Sequence, residues 1–175
     1  MTSLALPIGN VQVEARNMVP FIVLALAFGI GVVAGLRSMT APAVVSWAAR
    51  LGWLDVSHTP LAVLGFAWTP YILTVLAVGE LVADKLPMTP SRKLPGPFGA
   101  RIVLGGLSGA ALAAGGGQSW AIGAMAGALG GIAGTLGGYR ARTGLVRALK
   151  LPDFVIALLE DLVAVGGGLF LVSRF

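Results

Sequence analysis

Seven acids and twelve basic side chains are spread over 175 residues, and a few of them lie where charge is expensive. Glu160 and Asp161 fall eight and nine residues past Pro152, inside a strongly apolar run. Glu80 and Asp84 end another apolar run and, four apart, share one face of a helix. A charge at the centre of a spanning helix costs about 2.5–3.5 kcal/mol on insertion scales, so these acids need partners or a polar path. Arg37, Arg140 and Arg142, at the ends of two other runs, are the available counter-charges. Two chemistries follow. Either the acids pair with the arginines and hold helices together, or they line a route for a cation, a proton or a small charged solute. In the second case buried carboxyls alternate between charged and neutral forms. Thr40 and Thr143, with Thr69 and Thr74, could add hydroxyls, although helix hydroxyls more often bond their own backbone.

Other chemistries are closed off by counting. Zero cysteines exclude disulfides, thiolate metal sites and cysteine nucleophiles. One histidine, His58, excludes a multi-histidine zinc site within one chain. With Asp55 nearby, it reads as a solvated loop histidine. No phosphate-cradling G-x-x-x-x-G-K-[ST] loop occurs. No cofactor, metal or enzyme activity is therefore expected. The net charge of +5 does not point to nucleic acid, because the basic residues flank apolar runs as membrane topology requires.

The elements that must position these groups are apolar helices. Mean hydropathy is +0.90 and charged residues are 11% of the chain, against about 25% in soluble domains. Residues 1–17 read as an interfacial or loose arm that is retained, since the first basic residue comes only at Arg16. A single transmembrane domain then fills 18–175. Its runs are Met18–Leu36, Pro60–Leu86, Phe98–Ala114, Ser119–Gly138 and Pro152–Val172. Pro70 makes the second either one kinked span or a short half-helix followed by a helix starting at Pro70. Residues Thr40–Trp53 are too few to span and suggest an interfacial or re-entrant helix. The proline-rich stretch Pro87–Pro97 and the basic segment Tyr139–Lys150 read as exposed connections.

Two patterns suggest how the helices assemble. Gly105 and Gly109, Gly123, Gly127 and Gly131, and Gly134 and Gly138 recur every fourth residue, which lets helix backbones approach closely. There is also an internal echo: Leu36-Arg37-Ser38-Met39-Thr40 against Tyr139-Arg140-Ala141-Arg142-Thr143, and Glu80-Leu81-Val82-Ala83 against Asp161-Leu162-Val163-Ala164. It divides the chain into unit one (18–87), a linking span (98–114) and unit two (119–173). One linking span between them would make the repeat inverted, as in many secondary transporters.

Several stretches resemble a known family: Gly35-Leu36-Arg37-Ser38-Met39-Thr40, Ser46-Trp47-Ala48-Ala49-Arg50-Leu51-Gly52, Glu80-Leu81-Val82-Ala83-Asp84-Lys85-Leu86-Pro87, Thr89-Pro90-Ser91-Arg92, Gly138-Tyr139-Arg140 and Leu159-Glu160-Asp161. Over about residues 25 to 175 the chain resembles the bacterial membrane proteins grouped as domain of unknown function 4126. The resemblance implies a small multi-span protein of the bacterial inner membrane, with no activity or site residue attached.

The expectation is an all-α membrane helical bundle of about five spans plus one or two short interfacial or re-entrant helices. The positive-inside rule puts the N-terminus in the cytoplasm and the C-terminus outside. The expected role is movement of a small solute or ion, in a homo-oligomer or as part of a larger membrane complex in the lipid bilayer. Glu80, Asp84, Glu160, Asp161, Arg37, Arg140, Arg142, Thr40 and Thr143 are the pathway or binding candidates. The alternatives are a non-catalytic membrane subunit or assembly factor docked through glycine-rich faces, and an enzyme acting on lipid.

Overall fold

A backbone in hydrocarbon must satisfy its own hydrogen bonds, and each of the five long apolar runs contributes a helix. The computed structural model describes residues 8–84, 94–150 and 152–175, with side chains described from residue 20. Over these residues the chain forms α1 (Ile8–Leu36), α2 (Thr40–Arg50), a 3-10 turn (Ala62–Gly65), α3 (Thr69–Ala83), α4 (Pro95–Gly115), α5 (Trp120–Leu149) and α6 (Asp153–Val172). By length and composition α4, α5 and α6 can cross a membrane; α3 and the apolar part of α1, Pro20–Leu36, are shorter.

Boundaries differ from the sequence reading in ways that have physical causes. The second half of the expected arm is already helical, because α1 begins at Ile8. Pro70 starts α3, where its missing amide costs nothing, so Pro60–Leu86 is a 3-10 turn followed by a helix rather than one kinked span. Pro95 likewise opens α4 instead of prolonging a loop. Residues 85–93, which include Lys85 and the part of the proline-rich stretch that carries Arg92 and Lys93, lie outside the described residues. The basic segment Tyr139–Lys150 is no separate element either: α5 runs unbroken to Leu149.

Glycine sets the packing at the centre. A side chain on Gly31 would strike the backbone of Gly127, and one on Gly35 would come within 2.6 Å of Gly131 O and 2.5 Å of Thr135 N. The register advances in the same sense on both helices, so α1 and α5 run parallel. On α4 the order reverses: Gly109 faces Gly123, Gly105 faces Gly127, and the Arg101 carbonyl faces Gly131. So α4 is antiparallel to α5, and these three helices make the most extensive contacts in the molecule. Close backbone approach of this kind replaces the hydrophobic drive that lipid cannot supply.

The short helix α2 is not interfacial. Residues Thr40–Ser46 and Ala48 are buried, and α1, α3, α4 and α6 all touch it. Val44 packs on Gly168 of α6, and Leu54, just beyond α2, packs on Gly115 at the far end of α4. The chain therefore turns at Arg37 and comes back through the interior. The core formed around it includes Ile30, Val33, Val45, Ala48, Leu54, Leu64, Leu112, Ala164 and Val172.

That return changes the topology. With α2 running back, the echoing helices α1 and α5 run parallel, whereas the echoing acidic helices α3 and α6 run antiparallel, their acids meeting at Arg37. The same return places Val23 of α1 and the C-terminal Phe175 together against Gly116. The start of the α1 apolar segment and the end of α6 thus share one end of the bundle, where opposite ends were expected.

Candidate functional site

The charged residues gather at the other end. Where α1 stops, Arg37 enters the interior with no exposed surface. Its Nε donates to Asp161 Oδ1 at 2.6 Å, its Nη1 bonds Asp84 Oδ2, and its Nη2 lies 3.8 Å from Glu160 Oε2. One guanidinium thus joins the α1–α2 corner to α3 and α6. A five-donor planar fork can serve several carboxylates at once, which an ammonium cannot do with the same geometry.

Glu80 does a different job from the one its position in the sequence suggests. Its Oε1 accepts from Ser38 N at 2.8 Å and Ser38 Oγ at 2.7 Å, and its Oε2 accepts from Met39 N at 2.8 Å. The N-cap residue of α2, Met39, supplies no side-chain cap. Glu80 therefore caps α2 from a neighbouring helix, satisfying amide donors that would otherwise be orphaned and placing negative charge at the positive end of the helix dipole. Asp84, one turn further along α3, holds Arg37. The i, i+4 spacing legible in the sequence thus puts both carboxylates on one corner.

The remaining members come from α4, α5 and α6. Arg101, buried in the second turn of α4, places Nη2 3.7 Å from Glu80 Oε1 and 4.0 Å from Asp84 Oδ2. Arg142 Nε and Nη2 donate to the two oxygens of Asp153 at 2.9 and 2.5 Å, and its Nη1 lies 3.5 Å from Glu160 Oε2. Glu160 therefore stands between Arg37 and Arg142, while the adjacent Asp161 points to Arg37. Neighbouring helix positions differ in direction by about 100°, which lets one dipeptide reach both.

Of the candidates named from sequence, the structure brings together Arg37, Glu80, Asp84, Arg142, Glu160 and Asp161. Thr40 is also buried here, and its Oγ1 has no hydrogen-bond partner among the described residues. Arg140 and Thr143 do not belong. Arg140 is exposed and pairs with none of the described residues, and the Thr143 hydroxyl bonds the Tyr139 and Arg140 carbonyls of its own helix. Because α5 continues through this segment, its residues fan around a helix instead of turning inward as they do at the α1–α2 break. Sequence reasoning missed Arg101, Ser38 and Asp153 as members. Arg101 carried a signal, a lone arginine just inside an apolar helix; nothing marked the amide of Ser38.

Between α5 and α6 a groove of about 280 Å³ opens beside this cluster. Its walls include Leu36, Leu145, Ile156, Leu159 and Val163, and Glu160 and Arg142 are its polar members. The arrangement offers a tightly paired charged layer crossing the bundle near one end, with one carboxylate of that layer bordering a groove.

No curated protein and no solved structure matches the chain. A family model does, over residues 24–173, a span that takes in α2, α3, α4, α5 and α6 whole and most of the α1 apolar segment. The chain accordingly belongs to the family described as Domain of unknown function (DUF4126).

Proposed function

We propose that this membrane protein moves a small solute or ion, and that the Arg37 cluster closes its path at the charged end. The observation that carries this reading is a fully buried arginine at a helix break, bound by carboxylates from two other helices. Ionisable groups inside a membrane bundle, paired with one another, are the usual markers of ion and solute routes, and broken helices at such sites are the usual transporter device. The packing of α3 supports the reading too. That helix buries only Pro70 and Ala77 and leans chiefly on α2 and the 3-10 turn. Its named side-chain ties include Glu80 and Asp84 near the charged end and, further back along the helix, a hydrogen bond of 2.9 Å from Trp47 of α2 to Thr74. Releasing the ionic end would free α3 to swing while the glycine-packed trio α1, α4 and α5 stays fixed.

In this proposal the charged end faces the cytoplasm of a bacterial inner membrane. Arg140, Arg142 and Arg147 lie on the last turns of α5 and Lys150 just past it, and the sequence that joins α3 to α4 adds Lys85, Arg92 and Lys93. Trp53, Trp68 and Trp120 stand exposed toward the opposite end, as an interfacial belt would.

The test is flux into liposomes containing the purified protein, screened with protons, monovalent and divalent cations and small anions. Asp161→Asn and Glu160→Gln run beside the unaltered chain. Flux that Asp161→Asn abolishes while the protein keeps its fold and oligomer size supports the path. Absence of flux for every solute, with a foreign membrane protein co-purifying in fixed stoichiometry by native mass spectrometry, overturns it in favour of a non-catalytic subunit.

A further inference from the structure

The side of α5 turned away from the bundle forms one continuous stripe. Gly123, Gly127, Gly131 and Gly134 face α4 and α1. Ile122, Met125, Leu129 and Leu136 are exposed, and steps of three, four and seven keep them on a single helix face. Arg140 and Arg147 continue that spacing and are exposed as well. One outward face therefore changes from apolar to basic within an unbroken helix. The change falls where a bilayer requires it. Trp120, exposed at the start of α5, lies twenty residues before Arg140. At 1.5 Å per residue that is about 30 Å, the thickness of a hydrocarbon core. Tyr139, exposed beside Arg140, is an aromatic residue of the kind that marks the membrane–water boundary.

This basic face lacks counter-charge. Arg37, Arg101 and Arg142 all stand against carboxylates, whereas Arg140 and Arg147 form no hydrogen bond or ion pair among the described residues. Attraction to the carbonyl end of α5 does not account for Arg140, because the helix dipole acts within the last turn and Arg140 lies nine residues before Leu149. A second copy of the chain does not supply the charge either. At this end the exposed acid among the described residues is Asp153, and both of its oxygens already accept from Arg142. The partner that meets an outward face at headgroup depth, and that carries negative charge above an apolar body, is an anionic lipid.

We propose that Arg140 and Arg147 bind the phosphate of an anionic phospholipid in the leaflet at the charged end, with its acyl chains lying along Leu136, Leu129 and Met125. A guanidinium fork offers phosphate oxygens two N–H donors at a time. Seven residues separate the two arginines by about 10 Å along the axis, and their long side chains snorkel toward a phosphate held between them. A zwitterionic headgroup would bring an ammonium against the same two cations, so the site selects net negative charge. The assignment rests on this face of α5 alone and stands whether or not the protein moves a solute.

The test titrates purified, delipidated protein in neutral detergent with dioleoyl phosphatidylglycerol or with dioleoyl phosphatidylcholine, and bound lipid is counted by native mass spectrometry. Arg140→Gln, Arg147→Gln and the double variant run beside the unaltered chain. Arg50→Gln, at an exposed arginine closing α2 at the opposite end, controls for the loss of one positive charge. The unaltered chain should bind phosphatidylglycerol about tenfold or more tightly than phosphatidylcholine. Each single substitution on α5 should weaken phosphatidylglycerol about fivefold, and the double variant should lose the preference while melting like the unaltered chain. Arg50→Gln should keep the preference. Equal affinity for the two lipids in the unaltered chain, or a preference that the double variant retains, overturns the proposal. Displacement of phosphatidylglycerol by millimolar inorganic phosphate also overturns it, as a site for free anions. A protein dimer that only the double variant loses assigns the face to a second copy and overturns it likewise.

Discussion

At the scale of single residues, two carboxylates that look alike in sequence have distinct duties. Asp161 neutralises a buried arginine; Glu80 caps a helix that has no cap of its own. Removing one partner of a buried pair strands the other, at a cost of about 3–5 kcal/mol. Arg37→Ala should therefore lower detergent-solubilised stability by that amount, whereas Arg140→Ala, at an exposed position, should leave the melting temperature unchanged. Equal effects from the two would show that Arg37 is not a hub. Glu80→Gln keeps the size of the side chain and one acceptor oxygen but loses the charge and the second acceptor for the α2 amides. It should cost about 1–3 kcal/mol and loosen the first turn of α2, read as faster amide exchange at Ser38 and Met39. Unchanged exchange there would remove Glu80 from the capping role. In the loop between α2 and α3 the Asp55 carboxyl is held below its ordinary value of 3.8, first by the Ser57 hydroxyl, then by the Ser57 amide. A depressed folded value means that this contribution to stability is present above the unfolded value and is lost as pH falls through the folded one. Ser57→Ala should raise the Asp55 midpoint in a carbon-13 titration; an unmoved midpoint would reassign the lowering to His58.

Among the elements, glycine divides into two populations that composition alone does not separate. Gly31, Gly127 and Gly134 leave no room for a β-carbon against a neighbouring backbone, while Gly79, Gly137 and Gly166 face open space. Alanine at Gly79, Gly137 or Gly166 should raise stability by up to about 1 kcal/mol through helix propensity. Alanine at Gly127 must separate α5 from α4 and should unfold the trio or lower its melting temperature sharply. A Gly127→Ala protein as stable as the Gly137→Ala protein would mean that α4 and α5 do not pack as described. The periodic glycines at 105, 109, 123, 127 and 131 were legible because close helix approach demands smallness at fixed spacing. Gly31 and Gly35 obey the same rule on α1 but hide in an ordinary apolar run. The ends of helices were less legible. Proline marked the starts of α3 and α4 correctly once read as a first-turn residue, but the basic end of α5 has no breaker to show that it continues. Hydropathy was a poor guide to α2 as well. Eleven residues from Thr40 to Arg50 with Ser46 between them read as either interfacial or re-entrant, and the tertiary partners, Ser46 donating to the Leu64 carbonyl at 2.6 Å among them, make the segment an interior one.

For the whole molecule, that one buried helix decides the topology. Hydropathy finds apolar runs that are long enough to span, so it counts five and puts the two ends of the chain on opposite faces. A short helix that returns through the interior reverses the chain within the bundle, which length-based counting does not see. Six members of the charged cluster, Arg37, Glu80, Asp84, Arg142, Glu160 and Asp161, were legible because a buried charge needs an opposite charge nearby; Arg101 and Asp153 were not, and the location at one end followed only from α1 and α5 being parallel. The consequence can be measured without knowing any substrate. With the charged end in the cytoplasm, Ser57 and Ser173 belong outside and Gly144, on the basic end of α5, inside. Single cysteines at these three positions, probed in intact cells with an impermeant thiol reagent, should label at Ser57→Cys and Ser173→Cys and be protected at Gly144→Cys until the membrane is opened. The decisive addition is a tag fused before Met1. If α2 returns through the bundle, the tag should be accessible from the same side as Ser173→Cys. A tag protected while Ser173→Cys labels would restore the five-span arrangement, move α2 to the interface, and make the echo between the units an inverted one after all.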